Sequence, residues 1–386
     1  MNKLLESIEI DNKRGKERPV YEQIAVHIKG LIESSQISPG ARLPSISDMM
    51  KKWDVAYPTI KTALDVLEED NLIRLEPGRG KGPLVLKNPA LCPRLKFIFH
   101  RLSNEAQFLN LEKGMRRFTG SNNIELSVID SEFSGLYLNF DNLIDKPDTV
   151  TGLILYPMDD ENYLSGVKKI LEMGVRVIFV DRFFPNLNIS SVCADNFAGG
   201  YMACEHLISN HDIPVYFFGN VARPSSTHLR YQGWFQSMRE HFPHLCSDRR
   251  YIYEIPLVET EYAATHPQVW GRPVREAAEG FVRSLEKEQL VSVFCSNDDA
   301  ARTLMEAAAE NGRTVGGDFF VAGFGNKPFC ERIEPTLTSV MQPDEKMGYE
   351  AARVLSDMIA NPNLARQRIN RVVPVELKIR ESSIKQ

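Results

Sequence analysis

Residues 43–82 read LPSISDMMKKWDVAYPTIKTALDVLEEDNLIRLEPGRGKG. Ser45 followed three residues later by Asp48 has the S-x-x-D form of a capping box, in which both side chains satisfy amides left unpaired in the first helical turn. Ile46, Met49, Met50 and Trp53 then recur at helical spacing and face inward. After a turn at Asp54 to Ala56, Pro58 stands where only a first helical turn tolerates proline, and Ile60, Ala63, Leu64 and Leu67 form one apolar stripe. Leu72 to Leu75, the turn Pro77 to Gly82 and Leu84 to Leu86 read as a hairpin. Two short helices, a hairpin and a glycine-rich tip follow the plan of a winged helix-turn-helix.

The outer face of the second of these helices carries Thr59, Lys61, Thr62 and Asp65. A helix with small polar and basic residues near its start fits the major groove of DNA, which is wide enough for one helix. Thr59, Lys61 and Thr62 are therefore candidates for base or phosphate contact, with Ser45, Tyr57, Lys51 and Lys52 around the turn and Arg79 and Lys81 at the hairpin tip, placed to meet phosphates or the minor groove. A small amphipathic helical domain with a solvated face is the competing reading of any one of these signals taken alone.

The order of signals resembles the DNA-binding module of GntR-family bacterial regulators. The resemblance is carried by Tyr21-Glu22-Gln23-Ile24, the run Ile32 to Leu43 with Pro39-Gly40, the Leu43-Pro44-Ser45 entry, Val55 to Leu64 and Gly78 to Gly82. Two departures stand out. Ser47 replaces an arginine common after the Leu-Pro-Ser motif, and Ala56-Tyr57 stands where Ser-Arg is frequent.

The chain has 386 residues, 43% hydrophobic and 25% charged, enough for such a head plus a large core. Its net charge of −5 does not favour a nucleic-acid partner by itself, but residues 1–90 hold 14 Lys and Arg against 13 Asp and Glu, and a local basic face is what meets phosphate. Residues 1–16 have scattered charges and no apolar run of signal length, and no segment has the roughly 20 apolar residues of a membrane span, so a cytoplasmic protein is expected. The cysteines Cys92, Cys193, Cys204, Cys246, Cys295 and Cys330 form no C-x-x-C pair and read as reduced structural thiols.

Tyr21, Ile24, Ala25, Ile28, Leu31 and Ile32 give the first helix of the head. The expected boundaries are a winged-helix domain over 1–86 and a proline-bearing linker, KNPALCP, over 87–93. From 94 to 386 strand-like runs alternate with helical stretches, the pattern of an α/β domain with parallel sheets. Strands are predicted at Leu95–Phe99, Ile124–Ile129, Gly152–Tyr156, Val175–Val180, Val215–Phe218, Tyr251–Ile255, Val291–Cys295 and Phe319–Ala322. Helices are predicted at Ala106–Phe118, Tyr163–Met173, Ala198–Ser209, Leu229–Arg239, Arg275–Leu285 and Asp298–Asn311. Two successive α/β units predict two lobes with a ligand site between them.

This region resembles the effector domain of LacI-family regulators, itself similar to periplasmic sugar-binding proteins. The match rests on Gly152 to Leu155, Val177 to Arg182, Val192 to Leu207, Arg230 to Trp234, Ser296-Asn297-Asp298, Val321 to Phe324 and Pro335 to Val340. A GntR head on a LacI-like body is the arrangement of AraR-type regulators. The resemblance implies lobes built from discontinuous segments, about 94–193 with 341–367 and about 194–340 with 368–386, joined by crossovers that act as hinges.

Sugar hydroxyls call for carboxylates, amides and guanidinium groups. Asp181 ends a strand, Arg230 starts a helix after a loop, and Asn297 and Asp298 follow a strand at the carboxyl edge where open α/β sheets bind ligands. The resemblance places Asp181, Arg230 and Asn297 on effector-contacting positions. Each has a structural reading too: Asp181 pairing with Arg182, Arg230 on the surface, Asp298 capping its helix. Arg101 and Ser103 after the first strand are further candidates, while Trp234 reads as core packing. Gly323-Phe324-Gly325 lacks the carboxylate that commonly follows Gly-Phe in the family, with Asn326 as a partial replacement.

The glycines at 78, 80 and 82 lead into a strand rather than a helix, His241 and His244 have no metal-site partners, and no G-x-S-x-G elbow occurs, so an enzyme, a cofactor or a metal is not expected. The sequence therefore points to a homodimeric transcription regulator, a repressor by expectation, that binds double-stranded operator DNA and responds to a small effector, a sugar or sugar derivative, without membrane association. A ligand-binding protein that does not regulate genes and a constitutive DNA binder are the alternatives.

Overall fold

The computed structural model describes residues 19–33, 36–37, 40–70, 72–75, 82–86, 94–99, 105–130, 152–157, 161–222, 224–245, 248–256, 271–361, 364 and 367–386. Two compact units separate, with the chain passing from one to the other at Pro93 and Arg94.

The head contains α1 (Val20–Glu33), α2 (Ile46–Trp53), α3 (Tyr57–Glu69), β1 (Ile73–Arg74) and β2 (Leu84–Val85). Ser45 caps α2: its Oγ accepts from the Asp48 amide at 3.2 Å and donates to the Asp48 carboxylate at 2.6 Å. Asp54 ends the helix in the left-handed conformation, which turns the chain toward α3. β1 and β2 pair antiparallel with Ile73 opposite Val85, as the hairpin reading requires. Ile24, Ile28, Ile32, Met49, Trp53, Ile60, Leu64, Leu67, Leu72 and Val85 close over one core, and each fully buried aliphatic side chain contributes about 1.5–3 kcal/mol. The helical spacing read from the sequence is the spacing that fills this core.

The body runs β3 (Arg94–Phe99), α4 (Glu105–Ser121), β4 (Glu125–Asp130), β5 (Gly152–Leu155), α5 (Glu161–Glu172), β6 (Arg176–Val180) and β7 (Ser190–Ala194). It continues through α6 (Asn196–His211), β8 (Val215–Gly219), α7 (Ser225–His241), β9 (Ile252–Glu254), α8 (Gly271–Ser284), β10 (Val291–Cys295), α9 (Asp298–Glu310), β11 (Phe319–Gly325) and β12 (Thr338–Met341). α10 (Asp344–Ala360), β13 (Asn370–Val373) and β14 (Glu376–Lys378) complete it. One sheet has the order β13-β7-β6-β5-β3-β4 and the other β14-β12-β11-β10-β8-β9. Their central pairings are parallel, and the edge pair β12–β14 is antiparallel. Runs such as Val291–Cys295 are buried along their whole length, because helices cover both faces of a parallel sheet.

The chain crosses between lobes three times. It passes from β7 to α6 at Asp195 and from β12 to α10 at Gln342-Pro343. The third crossing differs from the expected boundary at 367/368. β13 still belongs to the first sheet, pairing Arg371 with Val192, and the second sheet is rejoined only at β14, which pairs Leu377 with Val340. Asn370–Val373 is strand-like whichever sheet it joins, so its own residues carry no signal of the choice. Cys193, Cys204, Cys295 and Cys330 are buried free thiols, and Cys92 and Cys246 lie outside the described residues. Trp234 is core: it is fully buried and its Nε1 donates to the Val215 carbonyl at 2.8 Å.

Candidate functional site

In the head, Lys51 and Lys52 in the last turn of α2 and Tyr57 and Thr62 on α3 are exposed, and Thr59 is half-buried. They flank the left-handed turn at Asp54, so a short stretch of chain gathers them on the two helices that the motif uses for DNA. The Thr62 hydroxyl donates to the Pro58 carbonyl at 2.9 Å and keeps acceptor capacity. The Lys61 ammonium sits on the Asp65 carboxylate, which holds its pKa up, and this exposed pair has to open before Lys61 meets a phosphate. Ser45 is committed at both ends to Asp48, so the structure uses it as a cap. Arg79 and Lys81 lie outside the described residues.

In the body, Asp181 directly follows β6 and lies in the first lobe, and Arg230 lies on α7 in the second. Both are buried, at 3% and 7% exposure, which removes the surface reading of Arg230. Asp181 holds a backbone φ of 73°, a region that Asp tolerates better than most residues and that turns the chain out of the strand. Its carboxylate Oδ1 accepts from Gln342 Nε2 at 2.5 Å and from Gln107 Nε2 at 3.2 Å. Arg182 stands beside it, with Nε 3.5 Å from Asp181 Oδ2 and the guanidinium 5.0 Å from the centre of the Tyr156 ring.

Arg230 joins the other lobe to the same amide. Its Nη2 donates to Gln342 Oε1 at 3.3 Å, its Nε to Asn196 Oδ1 at 2.8 Å and its Nη1 to the Ser296 carbonyl at 2.7 Å. Its guanidinium lies 3.6 Å from the centre of the Phe324 ring, a cation–π contact. Burial lowers its pKa to about 10, which leaves it charged at neutral pH. A buried cation is tolerated when its donors are met, and here three of its donor atoms are.

Asp344, the first residue of α10, completes the cluster. Gln107 and Gln342 also hydrogen-bond its carboxyl, while burial and then the neighbouring Asp181 push its pKa well above the usual carboxylate range. Asp344 Oδ1 is buried without a hydrogen-bond partner. Gln107, Asn196, Gln342 and Asp344 were not found by sequence reasoning. For Gln342-Pro343-Asp344 a signal existed, since polar residues follow β12 directly, as Asn297 follows β10.

The remaining predicted residues divide. Asn297 caps α9, its Oδ1 accepting from the Ala300 amide at 2.9 Å, and its neighbour Ser296 touches Arg230. Asp298 is fully buried and tied by Ser339 Oγ at 2.5 Å and the Lys327 amide at 2.8 Å, so both carboxylate oxygens serve the fold. Asn326, the expected partial replacement for the missing carboxylate, has its Oδ1 accepting from Arg380 Nη2 at 2.8 Å. Gly325 has φ 127°, and a Cβ there would begin 3.1 Å from Asp298 Oδ2. A carboxylate side chain at 325 would need both a strained backbone and room beside an existing acid. Arg101 and Ser103 lie outside the described residues.

Comparison with known proteins matches two separate stretches of the chain. The gntR family of bacterial regulatory proteins matches residues 20–81, and the periplasmic binding protein-like domain matches residues 204–383. The chain is 23% identical over 357 residues to the arabinose metabolism transcriptional repressor of Geobacillus stearothermophilus, covering 88% of this chain and 91% of that one. Among solved structures it is similar to a LacI family transcriptional regulator from Enterococcus faecium with bound ribose, at 20% identity and TM-score 0.57, covering 76% of this chain and 99% of that one. It is also similar to the complex of the transcriptional regulator CelR with cellobiose, at 18% identity and TM-score 0.58, over 95% of this chain and 100% of that one. The chain thus carries a gntR-family match over its winged helix-turn-helix head and a periplasmic binding protein-like domain over residues 204–383 of its body.

Proposed function

We propose that the protein is a cytoplasmic, homodimeric repressor whose affinity for operator DNA is set by a sugar or sugar derivative bound between the lobes of its body. The observation that carries this reading is the buried Asp181–Gln342–Arg230 chain, which joins a carboxylate of one lobe to a guanidinium of the other through an amide on a crossover. Carboxylate, amide and guanidinium are the groups a polyol needs, and they are spread over parts that move relative to one another if the crossovers bend. The head spans 1–86, the linker 87–93 and the body 94–386 in this reading. Two heads on a dimer fit a pseudo-palindromic operator. That relatives are named as repressors, and that solved neighbours hold ribose or cellobiose, supports the sign of regulation and the class of ligand.

Among the described residues no helix is long and apolar enough to cross a membrane. The DNA-binding half of the proposal is tested by Lys52→Ala combined with Lys61→Ala. Operator affinity is expected to fall, and the slope of log affinity against log salt to drop by roughly two, about one for each phosphate contact removed. An unchanged slope in a fluorescence-anisotropy titration would take both lysines off the DNA.

A further inference from the structure

The buried cluster between the lobes leaves a carboxylate acceptor unused. Arg230 is engaged: it donates from Nε, Nη1 and Nη2 to Asn196, Ser296 and Gln342, and its face lies on Phe324. Arg182 stands against the Asp181 carboxylate and over Tyr156. Asp344 Oδ1 is a buried acceptor with no hydrogen-bond partner. Asp344 and Asp181 are bridged by the same two amides, Gln107 and Gln342, so two carboxyl groups from the end of β6 and the start of α10 share one polar patch.

An acceptor left unmet in a buried site costs free energy that a ligand donor recovers on binding. An anion in the same place would face two carboxyl groups, while the fork of Arg230, the group suited to grip a carboxylate or phosphate in two-pronged fashion, is already taken by protein acceptors. We propose that Asp344 is a specificity-determining ligand residue, whose Oδ1 accepts a hydrogen bond from the effector and selects a sugar bearing a hydroxyl or ammonium donor against sugar acids and sugar phosphates. This inference rests on the reading of the body as a sugar sensor and narrows its ligand class.

The test is calorimetric titration of the full chain with ribose, arabinose, glucose, cellobiose and glucosamine, and with glucuronate, galacturonate, ribose 5-phosphate and glucose 6-phosphate. At least one sugar of the first group is expected to bind, with its acid or phosphate counterpart weaker by about tenfold or more, a loss of about 1.4 kcal/mol. Glucose against glucosamine separates hydroxyl from ammonium as the donor. Asp344→Asn replaces half of the carboxylate by a donor and is expected to weaken the bound sugar by about tenfold or more.

A stability control separates loss of the site from loss of the fold. The raised pKa of Asp344 means that its charged form penalises the folded state above that pKa, and that the penalty disappears below the ordinary carboxylate value. Ligand-free Asp344→Asn should therefore melt at or above wild type near about pH 8, with the gap closing toward about pH 4. Tightest binding of an acid or phosphate, or equal sugar affinity in Asp344→Asn and wild type, overturns the assignment. Failure of every compound to bind wild type overturns the sugar reading beneath it.

Discussion

Replacing Arg230 by alanine is expected to abolish the response of operator binding to sugar and to destabilise the body by roughly 3–5 kcal/mol, the range for removing one partner from a buried charged network. The guanidinium serves Asn196 Oδ1, the Ser296 carbonyl and Gln342 Oε1, so its loss leaves three acceptors unmet and exposes the Phe324 face to a cavity. Gln342 loses its side-chain hydrogen bond to Arg230 of the second lobe while keeping that to Asp181 in the first, which breaks the side-chain bridge between the lobes at this crossover. Denaturant midpoints measure the stability loss, and calorimetry measures the loss of sugar binding. Arg230→Lys keeps the charge but not the planar fork, and is expected to recover stability in part and binding little. A stable Arg230→Ala protein with intact sugar affinity would remove Arg230 from the site.

Gly348→Ala is expected to cost about 3 kcal/mol, at the upper end of overpacking penalties, although it adds a single methyl group. Gly348 on α10 and Gly114 on α4 let the two helices approach so closely that a Cβ at 348 would lie 1.9 Å from the Leu111 carbonyl oxygen, and one at 114 would lie 1.8 Å from that of Glu345. Both obstacles are backbone, so the helices themselves must separate. α4 carries Gln107 and α10 begins at Asp344, which that glutamine hydrogen-bonds. The substitution is therefore expected to lower sugar affinity together with the denaturant midpoint. A midpoint within about 0.5 kcal/mol of wild type, the range of neutral surface changes, would contradict the tight contact.

Most of the fold was legible because its signals are local. The stripes of α1, α2 and α3 repeat within one turn of helix, and strands such as Val291–Cys295 announce themselves as short apolar runs between helical segments. The assignment of Asn370–Val373 to the first sheet was not legible, since pairing partners 179 residues away leave no mark on a four-residue strand. The site divides in the same way. Asp181 and Arg230 stood in recognisable motifs at strand and helix ends. Gln107 and Gln342 reach Asp181 from 74 and 161 residues away, and nothing near either glutamine states the partner. Asp298 and Asn326 are hard to read, because a polar residue at the carboxyl edge of a strand looks alike in sequence whether it faces a ligand or ties a loop. Here Ser339, the Lys327 amide and Arg380 hydrogen-bond them within the fold.

The central claim is that sugar and operator bind one protein with coupled free energies, and coupling of that kind is reciprocal. The most direct measurement is the affinity of full-length protein for the sugar identified by calorimetry, taken once with the protein free and once saturated with operator. The account predicts weaker sugar binding on the operator complex, by the same factor by which the sugar weakens operator binding, about 5- to 150-fold for a typical coupling. Equal sugar affinity in the two states would contradict it, because a ligand that does not distinguish the states cannot shift them.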